Sequence, residues 1–234
     1  MKHLWIVLTG IVFFSCSSEE GKQMLVDGQV TGLKKGVLYL QHVPDSTLIT
    51  MDSLEIRGDG SFQFEVPLES PELFYLYLDK DDQNDVNDRI GFFGEVGHIT
   101  ITTRWDAFDT RAKIEGSQSH SIYSEYKDVM SRFNTEYLTL AQERLTVQEE
   151  FPERIDSLTK RMEQNTLRSY LYTVNFALNN RNSHVAPYLA VTEIPDVQNK
   201  FLDTIYNALP DSVLEGTYGK RLKSLIDTRK KEVQ

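Results

Sequence analysis

Apolar residues recur at every second position in short runs over the first half of the chain and at helical spacing over the second. Phe62-Gln63-Phe64-Glu65-Val66 alternates with period two, as a strand with one buried face does. Comparable runs lie at 25–30, 36–43, 48–56, 73–78, 90–94 and 98–102, with a last short one at 112–116. Turn signals separate them, among them Gly32 and the segment Arg57-Gly58-Asp59-Gly60-Ser61, which reads as a hairpin reversal because glycine accepts positive φ. Many short strands at close spacing predict an antiparallel β-sandwich over 24–117.

Past Ser117 the period changes. Ile122, Tyr126, Val129, Phe133, Tyr137, Leu140 and Leu145 fall on one helical face, with charged residues around it. A second long helix is expected from Phe151-Pro152-Glu153, since proline suits a first turn. It carries Ile155, Leu158, Met162, Tyr170, Leu171, Val174 and Leu178. Shorter helices are expected near 185–192, 196–208 and 218–230, bounded by Pro195, Pro210 and Gly216. The expected fold class is therefore α+β: an N-terminal sandwich followed by a C-terminal helical bundle over 118–234.

The N-terminus obeys neither period. Lys2 and His3 precede an uncharged apolar run, 4–14, which is shorter than the roughly 20 residues a spanning helix needs but has the length of a secretory h-region. Residues 1–15 are read as a signal peptide. Ser15-Cys16 resembles a bacterial lipobox, although Phe13 and Phe14 depart from its usual Leu and small residue. Cys16 is the only cysteine of the 234 residues, and a secreted chain rarely keeps one unpaired thiol, so Cys16 is read as the site of lipid attachment. Acyl chains contribute about 0.8 kcal/mol per buried methylene, and several together anchor durably. Residues 16–23 then form a lipidated tether. Its tract Ser17-Ser18-Glu19-Glu20 is similar to the export signal that takes some Gram-negative lipoproteins to the outer face of the outer membrane.

Charge narrows the partners. The formal net charge of −10 becomes −11 once Lys2 leaves with the signal, so nucleic acid and anionic head groups are repelled and the membrane is held through the lipid alone. A hydrophobic content of 40% with 11% aromatic residues belongs to a folded chain, not a disordered one.

Several segments together resemble a known family: Asp27-Gly28-Gln29-Val30, Gly36-Val37-Leu38-Tyr39-Leu40, Asp52-Ser53, Gly58-Asp59-Gly60-Ser61-Phe62-Gln63-Phe64, Pro71, Phe92-Phe93-Gly94-Glu95-Val96-Gly97 and Ile114-Glu115-Gly116-Ser117. They look like the domain of unknown function 4369, a β-rich module at the N-terminus of many lipid-anchored thiol:disulfide oxidoreductases of the thioredoxin superfamily. The stretch with Asn182-Ser183, Ala186-Pro187-Tyr188-Leu189 and Tyr218-Gly219-Lys220 is similar to the segment that joins this module to thioredoxin. In the longer relatives a Cys-x-x-Cys site follows, whereas this sequence ends at Gln234 and offers only Cys16. Disulfide exchange needs an attacking thiolate and a resolving cysteine, so that activity is not expected of this chain alone.

Other chemistry is sparse. His42, His98, His120 and His184 have no i, i+4 zinc pair and no hydrolase motif, and His42 and His98 fall in strands, where a hydrogen-bonded role is the ordinary one. In the acidic loop 79–88, Asp81, Gln83, Asp85 and Asn87 alternate as oxygen donors for calcium might. An EF-hand's glycine and terminal Glu are missing, and a solvated hairpin loop is the plainer reading. Tyr75, Tyr77, Phe92, Phe93, Trp105 and Phe108 are candidates for an aromatic binding surface, with core packing as the commoner role. No cofactor is called for. The expected function is that of a non-catalytic outer-membrane lipoprotein, an accessory or binding module of an envelope complex. Its partner would be an outer-membrane barrel, another lipoprotein or a separately encoded thioredoxin-like protein. The alternative is a truncated oxidoreductase relative that supports such a thioredoxin-like partner in trans.

Overall fold

The computed structural model describes residues 22–44, 47–80 and 88–232. Its first half is two facing four-stranded sheets. One has the order β4-β1-β7-β8, from β1 (Gln23–Thr31), β4 (Ser61–Pro67), β7 (Gly97–Arg104) and β8 (Lys113–Glu115). The other has the order β3-β2-β5-β6, from β2 (Lys35–His42), β3 (Ile49–Arg57), β5 (Glu72–Asp79) and β6 (Asp88–Gly94). The second half is helical, with α1 (Gln118–Glu150), α2 (Ile155–Asn179), α3 (Val185–Thr192), α4 (Asn199–Ala208), α5 (Asp211–Leu214) and α6 (Thr217–Glu232). The chain is α+β, a sandwich-like β half followed by a helical half. Among the described residues no helix is long and apolar enough to cross a membrane.

Period-two patterning closes the sandwich. Met24, Val26 and Val30 of β1, Phe62, Phe64 and Val66 of β4, and Ile99 and Ile101 of β7 point inward. They meet Leu38 and Leu40, Phe74, Leu76 and Leu78, and Ile90 and Phe92 from the opposite sheet.

Two details differ from the sequence reading. The turn at 57–61 is not a hairpin, because β3 and β4 lie in different sheets and the turn carries the chain across the sandwich. Gly60 sits at φ +86° beneath β1, where its carbonyl accepts the Val30 N–H at 2.9 Å, and a side chain there would strike the Val30 carbonyl. The glycines do mark a turn, one that leads to the opposite sheet. The sandwich is also not wholly antiparallel: β1 and β7 pair in parallel, Met24 opposite Gly97 through Thr31 opposite Arg104. Such a pair needs a long crossover, here five strands of intervening chain.

The helices match the expected order, with α5 as an unforeseen single turn, and α1 and α2 bury part of each expected stripe: Tyr126 and Leu140 on α1, Leu158, Met162 and Val174 on α2. Tyr123, Tyr126, Leu140 and Val147 are buried on α1, while Tyr137 and Leu145 are exposed. On α2, Leu158, Met162, Val174, Phe176 and Ala177 are buried, while Tyr170 and Leu171 are exposed. The reason is length. At 1.5 Å per residue α1 runs about 50 Å, and its far half packs on α2 and the short turn at 152–154 before it.

Candidate functional site

The helical half docks on the β5–β6 side of the sandwich through an aromatic cluster. Phe93, fully buried at the end of β6, lies with its ring 5.4 Å from Tyr123 of α1, 5.2 Å from Tyr188 of α3 and 6.1 Å from Tyr218 of α6. Tyr188 meets Tyr218 edge-on at 5.0 Å. Offset and edge-on aromatic pairs add about 0.5–1.5 kcal/mol each beyond the area they bury. The Tyr218 hydroxyl accepts the Leu73 N–H at 3.1 Å, so the cluster is tied to the backbone of β5.

Around this cluster, two carboxylates of the sandwich meet two helix N-termini. Glu95, in the turn after β6, accepts hydrogen bonds from the Gln118 N–H, the Ser119 N–H at 3.3 Å and the Ser119 hydroxyl at 2.6 Å, at the first turn of α1. Ser117 caps the same turn, accepting the His120 N–H at 2.9 Å while its hydroxyl donates to the Phe93 carbonyl. Glu72, nearly buried at the start of β5, accepts the Thr217 hydroxyl at 2.8 Å at the first turn of α6, and His42 Nε2 lies 2.9 Å from its other oxygen. The Thr217 N–H in turn donates to the Ser70 hydroxyl at 3.3 Å. Unpaired N–H groups and the helix dipole favour negative charge at both points.

Burial alone would raise the Glu72 carboxyl, but the hydrogen bonds from His42 and Thr217 and the charges of His42 and Arg221 outweigh it, and the group is held below the ordinary carboxylate range. Burial lowers His184 against the pull of Glu72 and Glu95. Its Nδ1 is buried with no hydrogen-bond partner among the described residues and faces Gly216, where an added Cβ would come within 2.6 Å of the ring. His120 is lowered to about 4 by burial and by Lys127, and its Nδ1 accepts the Phe93 N–H at 3.4 Å, a role open only to the neutral ring.

Between these anchor points lies a cleft of about 710 Å³, whose floor includes Ser70, Pro71 and Thr217 and whose wall includes Glu95, Gln118 and His184. Lys22, Glu69, Glu215 and Lys220 stand around it, and among the described residues they form no ion pair. Past Glu95 and His184 it continues into a hollow of about 400 Å³ lined by Asn179, Asn180 and Asn182. The arrangement offers a polar recess with charges of both signs at its margin. Its inner acids are occupied with holding two helices.

The sequence-predicted sites fall elsewhere. Cys16, Ser17, Ser18, Glu19 and Glu20 lie outside the described residues, as do Asp81, Gln83, Asp85 and Asn87. Among the described residues no group of three or more His, Cys, Asp and Glu side chains could hold a metal ion. Of the aromatic candidates, Phe92, Phe93 and Phe108 are fully buried, whereas Trp105 is exposed and Tyr75 and Tyr77 are half-covered beneath the Arg89 guanidinium. His98 pairs across strands with Asp27 at 2.8 Å. Glu72 and Thr217 carry no signal in the sequence, Glu95 stands there only within the segments that resemble the family, and His184 only as a histidine without a motif. They are up to 145 residues apart, and the available signals were local: Ser117 before α1, Pro71 before β5 and Gly216 before α6.

Residues 24–123 match the family model described as Domain of unknown function (DUF4369), a match that covers the whole sandwich from Met24 and the first turn of α1. No curated protein and no solved structure is significantly similar to the chain.

Proposed function

We propose that this chain, whose residues 24–123 are a domain of the DUF4369 family, is a non-catalytic, lipid-anchored module of the bacterial cell envelope that binds a protein partner. In this reading Cys16 carries the lipid, and the acidic tract Ser17-Ser18-Glu19-Glu20 directs the protein to the outer face of the outer membrane. The carrying observation is that Lys22, immediately before β1, stands at the margin of the seam cleft. Five residues lie between it and Cys16, and the six steps of backbone reach at most about 20 Å. A lipid on Cys16 therefore keeps the cleft close to the bilayer surface, where a membrane-embedded partner can be met.

A binding role also agrees with how the polar groups are used. Glu72 and Glu95 hold α6 and α1 to the sandwich, while Lys22, Glu69, Glu215 and Lys220 remain for an outside ligand. The test is Cys16→Ser with labelled palmitate, together with a photo-crosslinking residue in place of Lys220 in the otherwise unaltered chain. The unaltered chain should take up the label and sediment with outer membranes, and the crosslinker should capture a discrete envelope protein. Cys16→Ser should lose label, membrane association and capture together. Unlabelled protein with Cys16 intact would overturn the anchor, and labelled protein that captures nothing would overturn the cleft as binding surface.

A further inference from the structure

The two halves keep separate cores. The buried apolar residues between the sheets all lie from Met24 to Phe108, and those enclosed among α2 to α6 all lie from Val174 to Ile226. Only the seam cluster is shared. To it the sandwich gives just Leu73 and Phe93 as buried residues, with Tyr75 half-covered beside them. The described chain passes from the strands to the helices once, through Gly116-Ser117 between β8 and α1. One covalent link and a small shared core are the conditions under which one folded unit can swing on another.

The ties across the seam are polar, and one of them depends on a neutral ring. Gln118 and Ser119 bond Glu95, Ser117 and His120 bond the backbone of Phe93, and Thr217, Tyr218 and Arg221 bond Ser70, Glu72, Leu73 and Pro44. His120 accepts the Phe93 N–H through Nδ1, so a proton on that nitrogen sets donor against donor. The charge that faces this ring is Lys127 of its own helix, which together with burial lowers it to about 4, against 6.5 for an open ring. His184, in the cleft wall, faces Glu72 and Glu95 and is also lowered by burial, so it adds in the same direction. His42 pairs with Glu72 inside the sandwich, and its proton strengthens no tie to the helices. Glu193 faces Lys127 and is raised by burial, which works the other way, but both groups belong to the helical half.

We infer that the helical half is hinged on the sandwich at Gly116-Ser117 and swings off as a folded unit in mild acid, when His120 takes a proton. Opening bares Leu73 and Phe93 on the sandwich and Tyr123, Tyr188 and Tyr218 on the helices. It also takes the cleft apart, because Ser70, Pro71 and Glu95 come from one half and Gln118, His184 and Thr217 from the other. Release of a cleft-bound partner in acid follows from that, a consequence that rests on the cleft as binding surface, whereas the hinge does not.

The test is amide hydrogen exchange of the full chain in mild detergent, read residue by residue and divided by the intrinsic rate at each pH. The Leu73 N–H is held by the Tyr218 hydroxyl and the Phe93 N–H by His120, so these two amides report the seam itself. Between pH 7 and 4.5 both should lose protection at least about tenfold, while Val26 and Leu38 in the sandwich and Ala190 and Leu222 among the helices keep theirs. His120→Gln keeps a carbonyl to accept the Phe93 N–H and takes no proton in this range, so it should flatten the response of both amides, with circular dichroism at pH 7 checking its fold. Protection at Leu73 and Phe93 that stays level down to pH 4.5 overturns the inference. So does a loss shared equally by Val26, Leu38, Ala190 and Leu222, which is unfolding of the whole chain, and so does a folded His120→Gln variant with an undiminished response.

Discussion

The sandwich and the hairpin bury apolar residues by different rules. In the sandwich the buried apolar residues lie between two facing sheets, and the seam adds four aromatic rings packed against one another. In the far half of the hairpin the same kinds of residue face one neighbouring helix on one side and water on the other. The first region is stabilised by enclosure and the second only by pairing. A residue's contribution should therefore depend less on its type than on how many elements surround it.

The largest expected effect probes the seam. Phe93→Ala removes the ring that touches α1, α3 and α6 together and should cost about 3–5 kcal/mol in urea unfolding, because a pocket walled by four elements cannot collapse to fill the space. Leu140→Ala on the hairpin, equally buried in one chain, should cost about 2 kcal/mol, since two helices can close on the gap. Hydrogen exchange should show the Leu140 variant opening only the far half of α1 and α2. If both variants cost the same and unfold the whole chain together, the two regions do not differ as described.

The carboxylate joints come next. Glu72→Gln leaves the strand intact but removes the charge that faces His42, Thr217 and Arg221, and should cost about 1–3 kcal/mol by leaving a buried joint partly unsatisfied. The loss should vanish in acid. The folded state holds the Glu72 carboxyl below its ordinary range, so its contribution is present above the unfolded value near 4.5 and lost as pH falls through the lower folded one. Urea midpoints of Glu72→Gln and the unaltered chain should therefore converge as pH drops below about 4.5.

His120 provides a pH effect of opposite chemical origin. Its ring is neutral in the fold and lowered to about 4, whereas the unfolded ring takes a proton near 6.5. Between those values the unfolded state binds more protons, so stability is fully present above pH 6.5 and declines as pH falls toward 4. With part of the ring open to solvent, the loss should be on the order of 2 kcal/mol. His120→Gln should flatten that decline without abolishing it, because burial lowers His184 in the same direction. Equal slopes for the variant and the unaltered chain from pH 7 to 4.5 would remove His120 from the account.

The legibility of the chain follows the same division. Phe62, Phe64 and Val66 were readable as a strand because their partners lie on a flat sheet face, where period two decides burial. Tyr137, Leu145, Tyr170 and Leu171 belong to the apolar stripes yet stay exposed, because a helical stripe reports which residues are apolar, not whether a third element is present to cover them. The parallel pairing of β1 with β7 and the sheet crossing after Gly58-Asp59-Gly60 depend on contacts between distant segments, which turn chemistry does not encode. The seam was the least legible part. Glu72 and Glu95 resemble ordinary surface acids until α6 and α1 are set against them.

Glu95 gives the smallest and most local effect. Its carboxylate lies in solvent reach at the first turn of α1 and accepts two backbone N–H groups and one hydroxyl. Glu95→Gln keeps one carbonyl acceptor but loses the charge that faces the helix N-terminus, a term worth about 0.3–1 kcal/mol and screened by salt. The urea midpoint should fall slightly at low ionic strength, and the difference from the unaltered chain should shrink as sodium chloride is added. Glu72→Gln should keep most of its cost in salt, because its partners are shielded from water. Salt therefore separates the two joints, one on the open margin of the cleft and one beneath it. If both lose their effect equally on adding salt, the inner joint is as solvent-exposed as the outer one, and the seam is looser than the aromatic cluster implies.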